Sequence, residues 1–388
     1  MHFWQARKIP LAWLLLTRQP MRLAVALAGI GFAGLLMFIQ LGFRDALFDS
    51  SVTIHKLFDA DLVLLSPRTT SSIRMASFPR RRLIQTMADP DVAEIAPVHW
   101  DFLLWRNPEN FSNRPILALG YEPTDTVFLD PAVTEQSSLL SQKGRVIFDE
   151  LSRDEFGPIP EWFRQGRTVE TEAAGKKLRV AGLFTAGPSF GADGTLLTST
   201  ETFLSLLPNN PQGAIELGLI RLRPGADLLQ VKKSLGRLLP DDVKVFTMQD
   251  FVDLEMNYWK NSTAIGFIFA LGAAMGFVVG CVIVYQILYS DVSDHLPEYA
   301  TLMAMGYKLF TLLGVVAREG FLLALIGYVP AYGISQLLYI FIQSATKLPV
   351  MMVFDRAVLV FAMILVMCMG SAALAMRRLG DADPAEIF

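Results

Sequence analysis

The fold is decided by residues 261–290, which read NSTAIGFIFALGAAMGFVVGCVIVYQILYS and contain no charged side chain. An α-helix rises about 1.5 Å per residue, so about 20 apolar residues cross the hydrocarbon core of a bilayer, which is about 30 Å thick. In lipid, every backbone polar group must be bonded within the protein, so this stretch must be helical. The sequence therefore predicts a transmembrane helix here.

Three further runs of this kind occur at residues 23–43, 314–342 and 357–376, which gives four predicted transmembrane helices. The composition agrees with a membrane protein, because 52% of the residues are hydrophobic and only 18% are charged, against roughly a quarter in soluble domains. The net charge is only −3, and no basic cluster interleaves with aromatic residues, so the sequence predicts no nucleic-acid binding.

The charges that flank the first and last runs predict the topology. Four basic residues without an acidic partner precede the first run, namely Arg7, Lys8, Arg18 and Arg22. By the positive-inside rule they place the amphipathic N-terminal segment, 1–22, in the cytoplasm, and the run that follows is too long for a cleaved signal peptide. Arg377 and Arg378 place the tail, 377–388, on the same side. We therefore expect an inner (plasma) membrane protein with both termini in the cytoplasm.

Four crossings with both termini inside assign the connecting segments. Residues 44–260 lie outside, 291–313 form a cytoplasmic loop, and 343–356 form a short external loop. The external segment is long enough for one or two compact domains. Its short apolar runs, bounded by Gly, Pro or Asp, predict strands at 60–65, 116–119, 145–148, 178–183, 217–222 and 244–246. Helical spacing over 228–239 places one apolar face on Leu228, Val231, Leu235, Leu238 and Leu239. We therefore predict a mixed α/β domain between the first and second spans.

The sequence shows no motif for catalysis. It lacks a GxxxxGK phosphate loop followed by Ser or Thr, a zinc-binding HExxH helix and a GxSxG nucleophile elbow. The two cysteines and four histidines are scattered singly, so we expect no catalytic residue, no cofactor and no metal on this chain. Arg318 and Glu319 lie near the predicted cytoplasmic start of the third span, where side chains can reach the interface. We expect them to position the helix or to form a local ion pair, with proton transfer as the alternative.

Three glycines repeat at four-residue spacing along the second span. Gly272, Gly276 and Gly280 remove side chains from one helical face, so that another helix backbone can approach closely. The sequence leaves open whether that contact lies within one chain or across a dimer.

The loop after the second span resembles the coupling segment of FtsX/MacB-type permeases. Residues 290–307 read SDVSDHLPEYATLMAMGY, and Glu298, Leu302, Ala304 and Gly306 occupy the family's pattern of Glu, Leu and Ala-x-Gly. The chain is more closely similar, from PLAWL at 10–14 to DPAEIF at 383–388, to the DevC-type permeases of cyanobacteria. The most specific strings are STAIGFIF at 262–269 and VYQILYSDVSDHL at 284–296, supported by FPRRR at 78–82 and SFGADG at 189–194.

The resemblance implies a MacB-like fold and a homodimeric permease of a type VII ABC exporter. Its implied partners are a DevA-type ATPase, which would bind ATP and Mg²⁺, a DevB-type periplasmic adaptor and a TolC-like outer-membrane channel, and its implied cargo is a glycolipid or similar amphiphile. A MacB-type protein would carry its ATPase at the N-terminus, where only 22 residues precede the first span here, so we expect the ATPase as a separate chain. An FtsX-like relay that activates a cell-wall hydrolase without transport remains an alternative, as does a lipid-modifying membrane enzyme.

Three sets of residues are predicted to carry the mechanism. The coupling helix would bind the ATPase, with Asp294, Glu298, Leu302, Met305 and Gly306. The C-terminus could dock on the same partner through Pro384, Glu386 and Phe388, or could be a frayed end. The second span would continue outward as a stalk that pairs with the extension of the first span and transmits movement, through Leu47, Phe48, Leu254, Tyr258 and Trp259.

Overall fold

The computed structural model describes residues 18–208, 211, 213–305 and 309–380, without the side chains of 299–300, 303–304, 309–313 and 377–380. The chain divides into two compact units. The helical unit comprises the chain up to Asp45, Ile265–Ala345 and the chain from Val350 onward. The α/β unit comprises Ala46–Ala264 and Thr346–Pro349.

The α/β unit contains both helices and strands, and every described regular element of the helical unit is a helix. The helices are α1 (Pro20–Ser51), α2 (Arg81–Gln85), α3 (Pro131–Ser137), α4 (Ile159–Arg164), α5 (Thr200–Leu206), α6 (Leu228–Leu238), α7 (Met248–Asn261), α8 (Ile265–Asp294), α9 (Leu296–Ala304), α10 (Leu309–Thr346) and α11 (Phe354–Gly380). The strands are β1 (Leu62–Leu65), β2 (Phe78–Pro79), β3 (Val92–Arg106), β4 (Asn113–Tyr121), β5 (Arg145–Asp149), β6 (Glu170–Ala173), β7 (Lys176–Phe184), β8 (Thr195–Ser199), β9 (Ala214–Ile215), β10 (Leu217–Leu222) and β11 (Lys244–Thr247).

Four helices among the described residues are long and apolar enough to cross a membrane: α1, α8, α10 from Gly314, and α11 to Met376. The expected multi-pass membrane protein with four apolar helices is therefore confirmed. The helices extend past the uncharged runs, because charged and polar side chains are tolerated where a helix leaves the hydrocarbon core. α1 runs over 32 residues without interruption, and the division between the two units falls inside it.

The α/β unit is built on one mixed nine-stranded sheet in the order β11-β1-β10-β3-β4-β8-β5-β7-β6. Most pairs are antiparallel, whereas β4 with β8 and β5 with β7 are parallel. A mixed α/β domain is therefore confirmed. The longest strand, β3, was not predicted from the sequence.

Strand β1 is buried on both faces and so fixes where two helices lie. Leu62 and Leu64 belong to the apolar cluster that includes Val231 and Leu235 of α6. Val63 and Leu65 belong to the opposite cluster, which includes Phe251 of α7. A strand that is covered on both sides reads as a continuous apolar run, as LVLL does here.

Helix α6 packs on the sheet as expected, with one correction. Its N-terminus is capped by the Asp227 side chain, which accepts from the backbone N–H of Leu229 at 2.9 Å. Val231, Leu235 and Leu239 are buried, but Leu238 is 49% exposed. The predicted apolar face was one residue too wide, because Leu238 turns away from the sheet.

Candidate coupling site and stalk

The predicted coupling helix is a separate short helix, α9. α8 ends at Asp294, His295 forms a turn, and α9 begins at Leu296. Pro297 explains the break, because proline has no backbone N–H and disfavours helical geometry in the residue before it. Proline is accepted in the first turn of the new helix, where the N–H would have no partner.

The residues predicted to bind an ATPase lie at different depths. The side chain of Glu298 is 63% exposed and that of Met305 equally so, whereas Leu302 is half-buried. His295, whose side chain is only 12% exposed, contacts the Glu298 carboxylate through Nδ1 at 3.0 Å. Glu298 and Met305 are thus free to meet a partner. Gly306 lies outside the described residues.

Asp294, the fifth predicted coupling residue, contacts α1 instead of standing free. The Arg22 guanidinium donates to Asp294 Oδ2 at 2.5 Å, to Asp291 Oδ1 at 3.4 Å and to Ser290 Oγ at 3.2 Å. These bonds join the end of the second span to the start of the first. From the sequence alone Arg22 is only a marker of topology, because its partners lie more than 260 residues away.

The glycine face of α8 packs against other helices of the same chain. A Cβ on Gly272 would lie 2.6 Å from the Gln40 side chain, and one on Gly276 would lie 3.2 Å from Leu36 Cβ. A Cβ on Gly280 would lie 2.8 Å from Ala33 Cβ and would also collide with Met367 Sδ of α11. The glycines therefore permit close packing of α8 on α1 and α11, as small residues do in membrane helices.

A second ion pair joins the first and fourth spans at the end of the helical unit away from Arg22. Arg356 is buried and donates to Asp45 Oδ2 from Nε at 3.0 Å and from Nη2 at 2.8 Å. It also donates to the Met351 carbonyl at 2.7 Å and lies over the ring of Tyr339. Sequence reasoning missed this pair, since nothing local relates two residues 311 positions apart.

The stalk predicted next to the second span, through Leu254, Tyr258 and Trp259, corresponds to α7. Thr247 and Asp250 cap its start reciprocally, with Asp250 N–H donating to Thr247 Oγ1 at 3.0 Å and Thr247 N–H to Asp250 Oδ2 at 2.8 Å. Burial acts to raise the pKa of Asp250, but the Lys232 ammonium at 2.7 Å and the bonds that Thr247 N–H and Oγ1 donate to its carboxylate outweigh burial and lower the pKa to about 2. The helix start is therefore well fixed on the sheet.

Several predicted stalk residues make contacts within the α/β unit. Leu254 packs against the cluster that holds Phe251. Trp259 is buried and meets Phe190 edge to face, with ring centroids 4.6 Å apart, and Tyr258 meets Trp259 at 5.4 Å. Leu47 is half-buried.

Phe48, near the end of α1, contacts α7 through its aromatic ring. Its ring lies 5.7 Å from Lys260 Nζ. Phe48 itself is buried. The end of α1 and α7 therefore share a cation–π contact, and their pairing as a stalk stays a prediction.

A buried polar cluster at the base of α7 was missed by sequence reasoning. Glu255 accepts from Ser72 N–H at 2.7 Å and from Trp259 Nε1 at 2.8 Å, and Ser72 Oγ lies 3.0 Å from His55 Nε2. His55 is fully buried, and its ring lies tilted against that of Phe251, with centroids 4.4 Å apart. Burial lowers the pKa of His55 to about 3 and raises the pKa of Glu255, although hydrogen bonds oppose the second shift. The cluster fixes α7 to the segment that contains Ser72.

One prediction about the second span is wrong. The helix does not continue from the span into the stalk, because residues 262–264 are not helical and separate α7 from α8. Thr263 Oγ1 donates to the Trp259 carbonyl at 2.6 Å, and hydroxyl side chains that bond the backbone in this way compete with the helical ladder. The uninterrupted helix is α1.

A second correction concerns Glu319. It was expected to reach the interface or form an ion pair, but it is only 1% exposed, and neither carboxylate oxygen has a partner among the described residues. Its neighbour Arg318 is exposed, as expected. The two residues point to different surroundings because they are 100° apart around the helix.

Residues 270–384 match the FtsX-like permease C-terminal family. The match covers most of α8, all of α9, and the third and fourth spans. The predicted tail residues Pro384, Glu386 and Phe388 lie at its edge and outside the described residues.

Two solved structures are similar to parts of the chain. One is the extracellular domain of the noncanonic ABC-type transporter YknZ from Gram-positive bacteria, with 13% identity and a TM-score of 0.33, over 48% of this chain and 98% of that one. The other is the periplasmic region of MacB from Actinobacillus actinomycetemcomitans, with 12% identity and a TM-score of 0.36, over 52% of this chain and 94% of that one. No curated protein matches the sequence.

Proposed function

We propose that the chain is the permease subunit of a MacB-like ABC exporter whose ATPase is a separate polypeptide. The observation that carries this proposal is the match of residues 270–384 to the FtsX-like permease C-terminal family, since that region contains the coupling helix. The four apolar helices and the large α/β unit support it. The permease itself performs no chemistry, and ATP with Mg²⁺ binds to the partner.

The ATPase binds the surface of α9 that presents Glu298 and Met305. A short helix with exposed acidic and apolar side chains suits a groove on a partner. Movement of this helix reaches the first span directly, because Arg22 holds Asp291 and Asp294 at the end of α8. The coupling site and the start of α1 therefore move together.

The first span carries the movement outward. At about 1.5 Å per residue, its 32 residues are about 48 Å long, which exceeds a hydrocarbon core of about 30 Å. α1 begins two residues before Arg22 and ends at Ser51, within the α/β unit. The break at residues 262–264 makes the second span the weaker transmitter. Mechanical transmission thus runs through α1 in this proposal.

The proposed cargo is a glycolipid or similar amphiphile, taken from the α/β unit on the outer side of the membrane. The permease would act as a homodimer with a DevA-type ATPase, a DevB-type adaptor and a TolC-like channel. This part rests on the resemblance of the coupling and span sequences to DevC-type permeases. An inner-membrane location with both termini in the cytoplasm belongs to the same proposal.

The test is a double substitution on α9, Glu298→Arg with Leu302→Asp. The complex should lose its ATPase during purification, and ATP-dependent release of amphiphile from proteoliposomes should fall at least tenfold. The matched control is Asp355→Arg, an exposed carboxylate at the start of α11, which should leave both unchanged.

Retention of ATPase and export by the double variant would contradict the coupling assignment. An intact complex that hydrolyses ATP, moves no amphiphile and activates a cell-wall hydrolase would replace the exporter with an FtsX-like relay.

A further inference from the structure

Glu319 presents an unusual situation for a membrane helix. It lies on α10 inside the third span, is 1% exposed, and neither Oε1 nor Oε2 has a hydrogen-bond partner among the described residues. An ionised carboxylate that is buried without a partner is strongly unfavourable, and ionisable residues inside membranes mark functional sites by default. The arrangement therefore requires something that compensates the carboxylate.

A small cavity lies beside this carboxylate and contains a second one. The cavity has a volume of about 20 Å³, which is enough for one water molecule, and it is lined by Gln19, Arg22, Asp291, Glu319 and apolar side chains. Asp291 Oδ2 is also buried and has no partner among the described residues, because Arg22 bonds only Oδ1. Two acidic groups thus border one small cavity, and each has an oxygen without a hydrogen-bond partner among the described residues.

The charges around the cavity are unbalanced. Arg22 of α1 and Asp291 of α8 line the cavity together with Glu319. Arg22 also donates to Ser290 and Asp294 of α8, and His295 adjoins them. On α11, Cys368 and Ala372 lie near Gly320, the residue after Glu319. Arg318 is exposed and His295 contacts Glu298. One arginine therefore faces three carboxylates, and it already bonds two of them.

We propose that Glu319 and Asp291 form a proton-binding site between the second and third spans. One proton, held by Glu319 and donated to Asp291 Oδ2 directly or through a single water, satisfies the unpaired oxygens and removes one negative charge. The bond joins α10 to α8, and Arg22 joins the same stretch of α8 to α1. The site therefore holds three spans together while it is protonated, and loss of the proton loosens them. This inference stands apart from the coupling of α9 to an ATPase.

The first test is infrared spectroscopy of the purified full-length protein in lipid nanodiscs at neutral pH. The wild-type protein should show the carbonyl stretch of a protonated carboxylic acid, and Glu319→Gln should lose it. The control is Asp355→Asn, an exposed carboxylate on α11, which should keep it. Absence of the band in the wild-type protein, or its persistence in Glu319→Gln, would overturn the proposal.

The second test measures thermal unfolding of the same samples between about pH 6 and about pH 9. The wild-type midpoint should fall as the pH rises and the proton leaves, while Glu319→Gln, which cannot ionise, should lose that fall and Asp355→Asn should retain it. Each measurement is repeated with K⁺ replaced by Na⁺ at constant ionic strength. A midpoint that responds to Na⁺ in the wild-type protein only would identify a metal-cation site and overturn the proton assignment. Equal pH dependence in wild type and Glu319→Gln would also overturn it.

Discussion

Substitution of Gly280 tests whether the glycine face of α8 packs within one chain. A Cβ at this position would lie 2.8 Å from Ala33 Cβ and would collide with Met367 Sδ, so α1 or α11 must shift. Overpacking of this kind costs about 1–3 kcal/mol. The matched control is Gly370→Ala, because a Cβ on Gly370 meets nothing within 4 Å and that position also lies inside a membrane helix.

Both substitutions raise helix propensity by about 1 kcal/mol, so this gain cancels in the comparison. Gly280→Ala should therefore be less stable than Gly370→Ala by about 1–3 kcal/mol, the cost of the collision alone. The assay is equilibrium unfolding of the full chain in mixed micelles with increasing dodecyl sulfate, followed by tryptophan fluorescence. Equal stability of the two variants would refute the packing of α8 on α1 and α11 of the same chain.

Three further predictions follow from the ion pair, the buried histidine and the continuous first helix. Asp45→Asn leaves the buried guanidinium of Arg356 without its carboxylate and should lower the free energy of unfolding by about 2 kcal/mol in the same assay, whereas Asp355→Asn should not change it. Burial lowers the pKa of His55 from 6.5 to about 3, so between these pH values the imidazole is protonated in the unfolded chain but not in the folded chain. The free energy of unfolding is therefore unaffected by His55 above about pH 6.5 and decreases as the pH falls from there towards 3. In that window, His55→Phe should reduce the slope of the unfolding free energy against pH by up to about 1.4 kcal/mol per pH unit. The measurement compares the pH dependence of unfolding in the wild-type protein and in His55→Phe, and identical pH dependence would contradict the prediction. Four glycines inserted after residue 46 of α1 should abolish export while ATP hydrolysis continues, whereas the same insertion after residue 263, in the existing break, should be tolerated; the opposite pattern would restore the second span as the transmitter.

The four membrane helices could be predicted from the sequence because the bilayer imposes a local rule. An uncharged run of sufficient length must be helical in lipid whatever its neighbours are. Short strands such as β10 were also predicted, since the run at 217–222 is apolar except for Arg221 and is bounded by turn residues; all its residues but Arg221 are buried.

The longest strand, β3, was missed because its sequence breaks the expected pattern. Pro97 cannot donate to a sheet and usually argues against a strand. In the structure it pairs with Gly218 of β10, while β4 joins β3 only from Val98 onward, so Pro97 lies where β3 has one neighbouring strand. The pairing of β3 with β10 and β4 therefore determines that this segment is a strand, and the local sequence around Pro97 does not.

The candidate sites depend still more on distant contacts. The break before α9 could be anticipated, because Pro297 disfavours a continuous helix through the residue before it. The burial of Glu319 could not, because it results from the packing of three helices around one residue. The bond from Arg22 to Asp294 is of the same kind, since it joins residues 272 positions apart.

The central claim is that α9 binds a separate ATPase, and site-specific photo-crosslinking tests it most directly. A photoreactive amino acid is placed at position 298, at 305, or at the control position 355, in cells that express the whole complex, and adducts are identified by mass spectrometry. Positions 298 and 305 should give adducts with a subunit that contains a GxxxxGK nucleotide-binding motif, and position 355 should give none. No such adduct from 298 or 305, or equal yields from all three positions, would contradict the account.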